Sequence, residues 1–214
     1  MKHKRRFLFA MGLLAAFLAW TWAIQFVDVQ AIGPRGSTVG FATMNRFVHE
    51  LTGVHMVLYT ITDWLGLVPL LFIVGFGILG LVQWVKRRHI LQVDHSILVL
   101  GGFYIVVMAV YFLFERFVVN YRPVLIDGVL EASYPSSTTM LVLCVMPTAI
   151  LQLRGRIQNS ILRRWSSFAM TVFIAFMVLG RLVSGVHWVT DIVGGALCSA
   201  GLVTLYRSAC QYLR

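Results

Sequence analysis

A chain of 214 residues that is 59% hydrophobic and only 12% charged, with a mean hydropathy of +0.82, is not a soluble domain, where about 25% of residues carry charge. Its net charge of +10 does not point to nucleic acid, because the basic residues fall in short clusters between apolar runs instead of on one continuous face. Since each membrane crossing needs roughly 20 apolar residues, residues 1–214 accommodate one membrane domain of six spans and no separate soluble domain.

The first predicted span covers residues 7–27 and follows the basic tail Lys2, Lys4, Arg5 and Arg6. A cleaved signal peptide shares this pattern. The apolar stretch is long for one, however, and it ends on Trp20, Thr21 and Trp22, which suit a membrane interface, so a retained helix is expected. The connection over residues 28–63 opens with the turn-forming Gly33-Pro34-Arg35-Gly36. Within residues 41–59, Phe47, Leu51, Val54 and Leu58 recur at three- and four-residue intervals. That spacing predicts an amphipathic helix lying at the interface or capping the bundle.

Further spans are predicted at residues 64–85 and 96–114, from Pro135 to about 153, at 165–182 and from His187 to about 206. Pro69 and Pro147 fall inside spans, where kinks are tolerated. Cys144, Cys198 and Cys210 lie within or beside apolar runs without metal-site spacing and read as small buried hydrophobes. The expected fold is therefore an all-α polytopic bundle.

Orientation follows from the basic residues. With the N-terminus inside, Lys2, Lys4, Arg5, Arg6, Lys86, Arg87, Arg88, Arg154, Arg156, Arg163, Arg164, Arg207 and Arg214 are inside, 13 of the 18 lysines and arginines. Arg35, Arg46, Arg116, Arg122 and Arg181 remain outside. Both termini are thus expected in the cytoplasm.

Three polar patches then fall on the outer side: Arg122-Pro123, the run Pro135-Ser136-Ser137-Thr138-Thr139, and Gly180-Arg181 with His187 and Asp191. Ionisable residues at membrane depth are functional candidates. Arginines offer forked donors that match phosphate oxygens. A serine-threonine run opening a helix presents unpaired N–H groups and the positive end of the helix dipole, an anion site, although Ser136 also fits a plain helix cap. His187 and Asp191 stand four apart on one helix face. An aspartate on one imidazole nitrogen fixes the tautomer and leaves the other nitrogen free to attack.

The order Arg122-Pro123, Pro135-Ser136, then Arg181 with five residues before His187 and three more before Asp191 resembles the type 2 phosphatidic acid phosphatase (PAP2) superfamily, in its integral membrane lipid phosphatase branch. Its signature is Lys-x6-Arg-Pro, Pro-Ser-Gly-His and Ser-Arg-x5-His-x3-Asp. The resemblance implies a PAP2/haloperoxidase-like bundle of six helices in the plasma (inner) membrane of a cell envelope, with the site facing outward to the periplasmic side. It also implies that His187 takes the phosphoryl group as a phosphohistidine, that Asp191 orients it, and that Arg122, Ser136, Ser137, Thr138 and Arg181 hold the phosphate. Neither metal nor cofactor is implied.

The chain departs from the signature at three places. Glu115 stands at the lysine position with Arg116 one place later, Thr138 replaces the histidine, and Gly180 replaces the serine. That histidine is the family's general acid, and losing such a group costs on the order of 10²- to 10⁴-fold in rate. Three readings follow. A diphosphate, prenyl diphosphate above all, is favoured because its leaving group departs without a proton. Alternatively, His49, His55 or Glu131 supplies the proton. In either case Arg116 is expected as a displaced phosphate ligand. Or the chain is a catalytically impaired phosphate-lipid binding or scaffold protein. The expected partners are a lipid phosphate or diphosphate substrate and membrane lipids. The oligomeric state is left open.

Overall fold

The computed structural model describes residues 2–212; Arg214, counted above among the basic residues, lies outside them. Eight α-helices follow one another among the described residues: α1 (Lys2–Ile24), α2 (Ala42–Thr52), α3 (Met56–Leu65), α4 (Leu67–Arg87), α5 (His95–Arg116), α6 (Ser137–Arg156), α7 (Ser160–Val183) and α8 (Val189–Tyr212). Among the described residues, six segments are long and apolar enough to cross a membrane: Lys4–Ile24, Met56–Arg87, His95–Arg116, Ser137–Arg156, Ser160–Val183 and Val189–Gln211. The all-α, six-span expectation matches this architecture.

Two differences from the sequence-based expectation bear on the site. The stretch 41–59 is not one helix: α2 ends at Gly53, whose φ is +69°, and α3 begins after His55. The break is docked onto the turn between α7 and α8, where His55 N–H donates to the Ser184 carbonyl at 3.0 Å. Gly185 sits in that turn with φ +69°, and a Cβ there would stand 2.0 Å from the Gly53 carbonyl oxygen. Only glycine satisfies both conditions. The second span also starts earlier than expected, because α3 runs through Gly66 into α4 as one stretch of 32 residues. Asp63 interrupts the hydropathy there, but in the fold it is paired with Arg181.

The long helices bury themselves to different degrees. α6 and α8 are the interior pair, with 56% and 61% of their apolar windows buried against 11% for the α3–α4 span. This ordering follows composition: α8 is dotted with Gly, Ala and Ser, which allow close helix approach in lipid. Val142, Val145, Met146 and Ala149 of α6 meet Leu100 and Val107 of α5 and Tyr206 of α8 in one hydrophobic core. A contact from Arg6 to Gln211 brings the start of α1 and the end of α8 to one end of the bundle. Asp94, before α5, pairs with Arg87 at 3.3 Å and Arg156 at 3.5 Å.

At the other end, the loop between α5 and α6 doubles back on itself. Ile126 and Val129 exchange backbone hydrogen bonds around Asp127 and Gly128, both at positive φ (49° and 76°), as a two-residue hairpin turn requires. The returning arm places Glu131 beside Arg122 (N–H to carbonyl 3.0 Å) and Ser133 beside Asn120 (2.9 Å).

Candidate active site

His187 lies in the turn between α7 and α8, and Asp191 in the first turn of α8, where the helix dipole favours an anion. Both are buried. Asp191 is held from three directions: by the Trp188 N–H at 2.9 Å, by Asn120 Nδ2 at 3.2 Å and by the Ser133 hydroxyl. The expected direct Asp–His contact is loose, at 3.9 Å. Ser133 Oγ stands between them instead, 3.1 Å from His187 Nδ1.

The carboxylate only accepts, so the Ser133 proton goes to Asp191 and its oxygen accepts from Nδ1–H. That assigns the proton to Nδ1 and leaves the lone pair on Nε2. Arg122 Nη1, a pure donor, lies 3.2 Å from Nε2, in agreement with the assignment. Burial holds the imidazole well below its ordinary value, down to about 4; Asp191 opposes this and the Arg122 charge adds to it. His187 is therefore neutral at physiological pH, the form able to attack phosphorus.

Arg181, in the last turn of α7, is 1% exposed. Its Nη2 donates to Asp63 Oδ1 at 2.7 Å and to Thr138 Oγ1 at 2.6 Å. Its Nε and Nη1 are buried without a hydrogen-bond acceptor. Arg122 Nε is 3.0 Å from Glu131 Oε2, an ion pair without the alignment of a hydrogen bond. The Tyr59 ring lies near both guanidinium groups, its centroid 5.0 Å from Arg181 Cζ and 5.9 Å from Arg122 Cζ. A buried donor left unpaired costs about 1–3 kcal/mol. Arg181, with two such donors, and Arg122, with Nη1 beside His187, suit an anion with several oxygens.

Among the phosphate ligands expected from sequence, Ser136 plays a different part. Its hydroxyl is turned to Thr139, donating to Oγ1 at 3.0 Å and accepting from the backbone N–H at 3.5 Å. It caps α6, because the opening turn of a helix has N–H groups to satisfy. The N–H groups of Ser137 and Thr138 open α6 without intrahelical acceptors. Arg116 is exposed at the end of α5 and forms no hydrogen bond or ion pair with the cluster. Glu115 lines a small cavity with Ser133 and Ser137.

The three alternative acids are placed differently. His55 is exposed and turned to the Thr52 carbonyl at 2.9 Å. His49 packs on the Trp188 ring at 5.4 Å, and burial pulls its imidazole below the ordinary value. Glu131 reaches the cluster, through Arg122. Four residues of the site were not singled out from sequence: Asn120, Ser133, Tyr59 and Asp63. Ser133 stands two residues before Pro135, near enough to a motif to have been considered. Tyr59 and Asp63 had no local signal. Among the described residues, no group of three or more His, Cys, Asp or Glu side chains converges to hold a metal.

No curated protein matches the chain. Among solved structures, the first transmembrane PAP2 type phosphatidylglycerolphosphate phosphatase from Bacillus subtilis is similar, with a TM-score of 0.62 over 96% of this chain and 97% of that one. At 17% identity the likeness concerns the fold. The PAP2 superfamily matches residues 94–214, more than half of the chain, and the matched region holds Arg122, the opening of α6, Arg181, His187 and Asp191. The chain belongs to the PAP2 superfamily.

Proposed function

We propose that this membrane protein is a lipid phosphatase that works through a phosphohistidine on His187 and hydrolyses diphosphates, prenyl diphosphates foremost, in preference to monoesters. The observation that carries the reading is the His187 environment: a neutral imidazole whose Nδ1–H is held by Ser133 and Asp191, with Nε2 against Arg122 at 3.2 Å. An incoming phosphate draws the Arg122 guanidinium onto its own oxygens and frees the Nε2 lone pair. Nε2 then bonds to phosphorus and the lipid phosphate leaves with the electrons of the P–O bond. Water later attacks phosphorus, the P–N bond breaks, and orthophosphate departs.

The preference follows from Thr138, which is no general acid, so that a monoester has to draw its proton from another group, whereas a phosphate leaving group departs without one. The site faces outward from the plasma membrane, with the basic end and both termini in the cytoplasm. Purified protein in detergent, given labelled prenyl diphosphate and phosphatidic acid side by side, is expected to carry label on His187 and to turn over the diphosphate faster. A phosphatidylglycerol phosphate belongs in the same panel, as the substrate named for the similar Bacillus subtilis protein. His187→Ala is expected to abolish turnover and retain lipid binding. Phosphatidic acid turned over equally well would remove the preference. Failure to trap a phosphoryl group across the panel would favour a phosphate-lipid binding or scaffold protein.

A further inference from the structure

Transfer to Nε2 expels the leaving oxygen on the far side of phosphorus, because attacking and leaving atoms lie in line. An alcohol leaving group needs a proton as its bond breaks, and the groups gathered near His187 differ in what they can give. On the nucleophile's side stand Arg122 and, on its Nε, Glu131. Arg181, also beside the Tyr59 ring, holds Asp63 together with Thr138, the residue at the family's general-acid position. A guanidinium does not give up its proton, and a threonine hydroxyl is too weak an acid. Asp63 Oδ1 is 2.7 Å from Arg181 Nη2, the nitrogen that also holds Thr138. Its side chain is 58% exposed, within reach of protons from solvent. We propose that Asp63 is the proton donor to the leaving group when the substrate is a phosphate monoester, an inference that rests on His187 being the nucleophile.

Packing explains how Asp63 arrives there. The Thr62 methyl lies 2.8 Å from where a Cβ on residue 180 would stand. Gly180 therefore lets α3 settle against α7, and the neighbours of this contact, Asp63 and Arg181, are the residues that pair. Tyr59 is one helical turn before Asp63 and presents its ring to the same pocket.

The proton balance closes over both half-reactions. The bound phosphate takes up the N–H groups of Arg181 and repels the carboxylate, which collects a proton from water. As the P–N bond forms and the P–O bond breaks, that proton passes to the departing oxygen, releasing the alcohol and the Asp63 carboxylate. The carboxylate then takes a proton from the water that attacks phosphorus. The P–N electrons return to Nε2, and Asp63 is again protonated.

The test compares a long-chain alkyl monophosphate with the alkyl diphosphate of the same tail, using the full-length protein in detergent. The ratio of the two turnovers does not depend on how much of a preparation is folded. Asp63→Asn is expected to lower the monophosphate-to-diphosphate ratio by on the order of 10²-fold or more. Asp63→Glu is expected to keep it within about tenfold of the wild type, because a carboxyl group remains. An unchanged ratio in Asp63→Asn overturns the assignment, as does a wild type that hydrolyses the diphosphate alone. Should Asp63→Asn lack all activity, Asp63→Glu decides, and a collapsed ratio there overturns it too. These outcomes leave the nucleophile standing. A wild type inactive on both substrates overturns the phosphatase reading and this assignment with it.

Discussion

The residue that most changes the picture is Ser133. A hydroxyl can pass on orientation because it donates and accepts at once: it gives its proton to Asp191 and receives one from His187. Ser133→Ala leaves Asp191 its bonds from Trp188 and Asn120 but strands the Nδ1–H in a buried site, at about 1–3 kcal/mol. Converted at about 1.4 kcal/mol per decade, kcat is expected to fall roughly 5- to 150-fold, with KM little moved. The burial of His187 bears on pH. His187 is held down to about 4, so the nucleophile is lost by protonation only as pH falls toward that value. The phosphorylation step is expected to persist at pH 5.5, where an ordinary histidine would be mostly protonated. Single-turnover labelling across pH measures it; an acid limb centred near 6.5 would contradict the burial of this imidazole.

At the scale of elements, α3 is the member whose position the site depends on. It begins at a turn locked to the α7–α8 connection by Gly185 and Gly53, and it leans on Gly180 through Thr62. Adding a methyl at 180 overpacks that contact, which typically costs about 1–3 kcal/mol. Gly180→Ala is therefore expected to lower thermal stability in detergent and to loosen the Arg181–Asp63 pair. Thr62→Ser, which removes the opposing methyl, is expected to restore most of the loss in the double variant. Strict additivity of the two changes would show that these helices do not meet there. The stretch 41–59 illustrates the limit of periodicity. Its three- and four-residue spacing correctly signals helix, but the break at Gly53 answers to a neighbour 132 residues further along the chain.

For the whole molecule, the arrangement of charge predicts the sidedness. Arg87 and Arg156 gather with Asp94 at one end, while Arg122 and Arg181 stand in the site at the other. Exposed positions at the two ends offer a direct check: Val129, in the hairpin turn, and Gly155, at the end of α6. With Cys210 replaced by serine, Val129→Cys is expected to react with a membrane-impermeant thiol reagent on intact cells, and Gly155→Cys only after the cells are opened. The reverse pattern would turn the site to the cytoplasm.

Much of this protein is written in local sequence. Six apolar runs set the number of spans, because a peptide group in lipid must find its hydrogen bonds within its own helix. The short motifs brought forward Arg122, Arg181, His187 and Asp191, because a four-residue spacing and an Arg-Pro pair are visible without any fold. The tertiary structure decided the rest. Ser133 reaches Asp191 across 58 residues of chain and Arg181 reaches Asp63 across 118, distances at which no periodicity carries information. It also turned Ser136 to capping and left Arg116 outside the cluster. Hydropathy and motif spacing are properties of one segment at a time, whereas a proton's route depends on which segments meet, and that is fixed only when the helices pack.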